Sequence, residues 1–165
     1  AQNGLPILGA DDAAKHAFLD VLDEMIDQVV GGCDVLYLNK AARTKLRAVA
    51  RHLGFWQRDR DEFGRVIDSY NDIPLRDLGQ DGAGADILPW TETVGTSDVT
   101  SSIYGVHWSS SEAEAGVAGL ENGGVQVKDL GEISASPVFR TRIEYFCGFA
   151  LFGKGAARLE GVLNS

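Results

Sequence analysis

The sequence predicts a mixed α/β domain of the α+β class, and three observations carry that expectation. The first third of the chain holds two apolar stripes at helical spacing with a compact apolar run between them. Beyond about residue 55 the helical period gives way to short extended runs, and clusters of glycine, asparagine and aspartate punctuate those runs. The chain of 165 residues suffices for one domain that hides roughly 70% of the surface its unfolded form exposes. Its 44% of apolar residues, with three tryptophans and seven phenylalanines, can fill a core, which sets it apart from disordered chains.

The elements follow in order. Ala14, Phe18, Val21, Leu22, Met25, Ile26 and Val29 recur three and four residues apart, while Asp20, Asp23, Glu24 and Asp27 fall mostly on the other side. This is an amphipathic helix. Asp11 or Asp12 caps its first amides, and Gly31-Gly32 ends it in the left-handed conformation that other residues resist. CDVLYLN reads as a buried strand, and Asn39 at its end is an N-cap for a second helix, KAARTKLRAVARHLG. Leu46, Val49, Ala50 and Leu53 form the inner stripe of that helix, with Lys40, Arg43, Lys45, Arg47 and Arg51 outside and Gly54 as its stop. FWQRDRDEFGRVIDSY gives two short strands about a charged turn, and Pro74 is expected to break the pattern soon after. DLGQDGAGADILPW, with few apolar anchors, reads as a mobile loop.

From Val99 the chain is mostly extended. VTSSIYGVHW is one strand, and Asn122-Gly123-Gly124 offers a tight hairpin turn between the two halves of GVAGLENGGVQVKDLG. The clearest strand is VFRTRIEYFCGFALF. Phe139, Thr141, Ile143, Tyr145, Cys147, Phe149 and Leu151 share one of its faces, while Arg140, Arg142 and Glu144 share the other, which turns apolar from Phe146. That pattern predicts cover on one side at its start and on both sides at its end.

Charge and motif narrow the function. A net charge of −9 repels nucleic acid and anionic lipid unless the basic residues gather on one face, so sequence-specific nucleic-acid binding is not expected. No apolar run reaches the length of a membrane span, and AQNGLPILG has neither region of a signal peptide, so a soluble protein is expected. Cys33 and Cys147 read as two free, buried thiols in a reducing compartment, with a single disulfide as the alternative.

GVHWSSSE raises the prospect of a small serine hydrolase built on His107. No G-x-S-x-G elbow occurs, however, and the alternation sets His107 with Ile103, Gly105 and Ser109 on one face, out of reach of an adjacent serine. A strand ending in a polar turn is the better reading. His16, His52 and His107 are isolated, and Asp77, Asp81 and Asp86 miss the calcium-loop spacing. Gly79, Gly82 and Gly84 fit no phosphate loop, although the stretch from Gly79 to Asp86 remains a candidate for a monomeric binding module. No catalytic, cofactor-binding or metal residue is assigned. The candidate subunit contacts are the basic helix face, Lys40, Arg43, Arg47 and Arg51, and the sign-alternating cluster Arg58, Asp59, Arg60, Asp61 and Glu62.

Several segments together resemble the major capsid protein of tailed bacteriophages and prophages. They are NGLPILG, DVLDEMIDQVVGGCDVLYLNKAARTKLRAVARHLG, RVIDSYNDIPL, SDVTSSIYGVHW with GVAGLENGGVQVKDLGE, and PVFRTRIEYFCGFALFGKGAARLEGV. The resemblance implies the tailed-phage capsid fold, with an axial domain near the capsomer centre and a peripheral domain around it. It divides this chain into an axial helix-strand-helix at about 11–54, further axial strands and a loop at about 55–137, and a peripheral return strand at about 138–165.

By that resemblance the protein is no enzyme but a structural subunit of an icosahedral phage or prophage shell, assembled in the bacterial host cytoplasm and located in the virion. Its partners are copies of itself in pentamers and hexamers, with double-stranded DNA only as contents and no membrane or cofactor. The alternative is the shell protein of an encapsulin-type bacterial nanocompartment, which shares the fold. Family members carry an N-terminal arm, an extended loop and a spine helix before the matching part, so a truncated chain is expected.

Overall fold

Two helices cover one face of a mixed β-sheet, and a long two-stranded arm leaves one end of it. The computed structural model describes residues 4–54, 57–60, 64–132 and 137–164, with 57–59 described by their backbone alone. Helix α1 spans Asp12–Asp27, and Asp11, in extended conformation, caps it by accepting the Ala14 amide at 2.8 Å. It ends earlier than the apolar stripe suggested. Gln28 is its right-handed cap, and Gly31 and Gly32 take positive φ in the turn that follows rather than as the stop. Gly31 has a second reason to be glycine, because a Cβ there would lie 2.6 Å from the His107 ring.

Strand β1 is Leu5–Pro6 and β2 is Val35–Leu38, followed by α2, Lys40–Leu53. Asn39 caps α2 through its Oδ1, 2.8 Å from the Ala41 amide, and Gly54 closes it with φ 81, both as expected. Then come β3 (Gln57–Arg60), β4 (Val66–Tyr70), β5 (Ile73–Asp77), β6 (Glu92–Val94) and β7 (Ser97–Val106). The last five are β8 (Gly116–Glu121), β9 (Gln126–Glu132), β10 (Phe139–Glu144), β11 (Cys147–Phe152) and β12 (Ala156–Leu163).

The main sheet runs β1-β12-β7-β2-β5-β4-β3, with β6 on the first half of β7. Strands β2 and β5 are parallel, so α2 and the β3–β4 pair form the crossover between them. Alternation along β2 sends Leu36 and Leu38 under the helices, where they meet Phe18 and Leu22 of α1, Leu46 and Val49 of α2, Ile103 of β7 and Val162 of β12. Gly105 lies at the closest approach of α1, and a side chain there would press on Met25 Sδ and Cys33 Sγ at 3.1 and 3.2 Å. Polar links complete the layer. Tyr70 donates to Asp23 Oδ1 at 2.8 Å, Arg43 meets Asp77 at 2.8 Å and Arg47 meets Asp68 at 3.1 Å.

Four expectations are corrected. Pro74 does not break the chain but sits inside β5, opposite Ser69 of β4; pairing with β2 begins only at Leu75, so no bond to β2 is lost at the proline. Asn71 and Asp72, both at positive φ, make the two-residue turn that joins β4 to β5.

The loop expected to be mobile is pinned. Asp81 Oδ1 accepts the amides of Ala83 and Ala85 at 2.8 and 2.9 Å, and the Asn39 amide group donates to Leu88 O and to Asp86. The Asn122-Gly123-Gly124 hairpin does not form: β8 pairs with β11 and β9 with β10. Finally, the closing strand is two strands with a break at Tyr145-Phe146, and β12, unread in the sequence, follows it into the main sheet between β1 and β7.

Candidate assembly surface

The nested pairing of β8 with β11 and β9 with β10 makes one long antiparallel ribbon, interrupted where Asn122 donates its amide to the Phe146 carbonyl at 3.1 Å. Its rungs run from Gly116 opposite Phe152 at the root to Glu132 opposite Phe139. The root is tightly tied. His107 donates its amide to Gly155 O at 2.8 Å, Val117 donates to His107 O at 2.7 Å, and Val30 donates to Lys154 O at 2.9 Å. Gly155 and Gly116 cross so closely there that a Cβ on Gly155 would collide with the Gly116 backbone.

Beyond the root, nothing among the described residues covers the ribbon's apolar side chains. Val127 and Ile143 face each other across one rung at 66% and 70% exposure, Phe139 is 73% exposed, and Phe149 is 79% exposed, with the Trp108 ring 6.5 Å away centroid to centroid. The expected sharing of one face by Ile143 and its neighbours agrees with the register. The expected cover does not, since the strand that should be enclosed at its end is open. Large exposed apolar surface of this kind marks an interaction site. A two-stranded ribbon is, besides, marginally stable in water without a third strand or a packed layer.

The other candidates from the sequence fall elsewhere. On α2, Arg43 and Arg47 turn to Asp77 and Asp68 of the same chain, while Lys40 and Arg51 remain exposed. Arg58, Asp59 and Arg60 belong to the edge strand β3, where charge discourages stray pairing. The side chains of Arg58 and Asp59, and all of Asp61 and Glu62, lie outside the described residues.

His107 Nδ1 stands 2.9 Å from Asp34 Oδ2 without hydrogen-bond geometry, and the same oxygen accepts the Trp108 amide at 2.8 Å. The nearby serines bond within their own turn: Ser109 Oγ donates to Ser111 O at 2.7 Å, and Ser111 Oγ accepts the Ala113 amide at 3.2 Å. Asp34 therefore ties the start of β2 to the root of the arm, a link the sequence did not show.

Of the two cysteines, both free, Cys33 is half-buried and Cys147 lies exposed on the arm, which corrects the expectation of two buried thiols. Burial pushes the Cys33 thiol above its ordinary pKa. Among the described residues no group of three or more histidine, cysteine or carboxylate side chains is placed to hold a metal, and no helix is long and apolar enough to cross a membrane.

No family model and no curated protein matches the chain. A solved structure does. The chain is similar to the encapsulin of the holo-SrpI encapsulin complex from Synechococcus elongatus PCC 7942, with a TM-score of 0.61 and 17% identity over 88% of this chain. The two share a fold. At that identity the likeness speaks for architecture alone, and it gives the mixed α/β expectation its coarse form: a capsid-like fold. The chain spans half the length of that encapsulin.

Proposed function

We propose that the protein is a shell subunit that assembles with copies of itself into a closed particle, in the manner of an encapsulin. The observation that supports this reading best is the bare arm: a firmly rooted ribbon whose exposed phenylalanine, isoleucine and valine side chains need a packed surface that the described residues do not supply. The likeness to the protein of an encapsulin complex adds a fold that is compatible with such assembly. It also favours the nanocompartment reading over the phage capsid. In this reading the chain carries no reaction of its own, and its binding surfaces are spent on identical neighbours.

Negative-stain electron microscopy of the purified full-length protein tests the reading: closed particles of uniform diameter are expected, and a solitary protein at every concentration overturns it. The contents then separate the two uses. An encapsulin-type shell holds a cargo protein recovered with the particles, whereas a phage or prophage shell holds nuclease-protected double-stranded DNA.

A further inference from the structure

The arm has a second, basic face. Lys128 of β9 stands directly opposite Arg142 of β10, and by the alternation of β10 Arg140, two residues along, falls on the same side, where the pairing with β9 shifts register between Phe139 and Thr141. Like charges facing each other across a rung destabilise a ribbon unless something compensates them. Compensation within the chain is small: Arg142 reaches Glu144 at 3.2 Å, while Lys128 and Arg140 are exposed and have no ion-pair partner among the described residues. Three cations thus gather at one spot on a chain whose net charge is −9.

The complementary surface lies on α1. Asp20, Glu24 and Asp27 are exposed, fall within one stripe along the outer side of the helix, and have no ion-pair partner among the described residues. Their spacing, about 6 Å for one helical turn, matches the roughly 7 Å between alternate residues of a strand. We propose that the basic face of the arm, Lys128, Arg140 and Arg142, docks on the Asp20–Glu24–Asp27 stripe of a second copy.

This rests on the shell reading and names one of its contacts. The two patches differ, so the contact can either be exchanged between two copies about a two-fold axis or run head to tail from copy to copy and close around a ring. Nucleic acid is the competing occupant of a basic face. The overall negative charge opposes the approach of a polyanion, whereas carboxylates are the commonest charged groups on the protein's own copies.

Charge reversal and its reciprocal rescue test the contact in the full-length protein. Arg140→Glu combined with Lys128→Glu, and separately Asp20→Lys combined with Glu24→Lys, each lower the yield of assembled particles by about tenfold or more, because like charges are brought together. All four substitutions in one chain restore the attraction with its sign reversed, and the yield returns to within about threefold of native. The residues are exposed, and circular dichroism confirms that each variant folds.

If native protein assembles and both reversals assemble as well as it does, or the fourfold variant stays as impaired as the reversals, the inference falls and the shell reading stands. If native protein forms no particles, both fall. Retention of a duplex oligonucleotide by native protein, lost on reversal of the arm alone, assigns the basic face to a polyanion and overturns the docking.

Discussion

Single residues carry links between layers that no local pattern announces. Tyr70 is one. Burial, and then the hydrogen bond to Asp23, raise its phenol above the ordinary tyrosine pKa, so the folded chain holds that proton more tightly than the unfolded one. The stability it contributes is fully present below the unfolded value of about 10 and is lost as pH rises toward the higher folded value. Tyr70→Phe is expected to cost about 1 kcal/mol at neutral pH, since Asp23 keeps a bond from Asn71 at 3.2 Å, and to flatten the alkaline loss of stability. Urea unfolding at pH 7 and pH 10.5 measures both effects.

Asn39 is the other such residue. It was legible as a cap, but its amide group, buried with it, also holds the Leu88 carbonyl and so the loop that follows β5. Asn39→Ala removes both, and a loss of roughly 2 kcal/mol is expected, above the usual cost of a cap alone. A drop in Tm no larger than that of an exposed cap variant such as Asp11→Ala would contradict the second role.

At the scale of elements, the helices and the arm are held by opposite logic. Each helix buries one stripe against the sheet, and its ends are set by groups within four residues. The arm buries little, and the side chains it exposes are those that most favour burial. Replacing Ile143 and Phe149 with lysine is therefore expected to leave the melting temperature of the main domain nearly unchanged while abolishing assembly. Differential scanning calorimetry with light scattering reads the two together, and a variant that still assembles would remove the arm from the contact.

Most elements were readable because periodicity and caps are local. Partnership was not: the run around Asn122-Gly123-Gly124 alternates equally well whether its halves pair with each other or with residues 139–152, and only the later strand decides. The strand β12 escaped notice because ARLEGVL is interrupted by Glu160 and by Gly161, which takes positive φ at an irregularity in its pairing with β7.

At the scale of the whole molecule, the apolar side chains of the arm are left without cover among the described residues, and in the proposed shell a neighbouring copy supplies it. The apolar face of the arm calls for area and its basic face for counter-charge, so salt should weaken the second without the first. Shells formed at low ionic strength are accordingly expected to lose the contact between arm and helix as salt approaches 1 M, where charge acts over only about 3 Å, and to keep the apolar one.

From its residues alone this chain settled two amphipathic helices with their N-caps and the Gly54 stop, a buried strand between them, and the two-sided character of residues 139–152, because each of these depends on neighbours a few residues away. Only the assembled tertiary structure decided which strands meet, which arginines are absorbed by internal aspartates, and which apolar residues are left in water. Those outcomes are contests between distant segments for the same surface, and the winner is set by contacts that no stretch of sequence contains by itself.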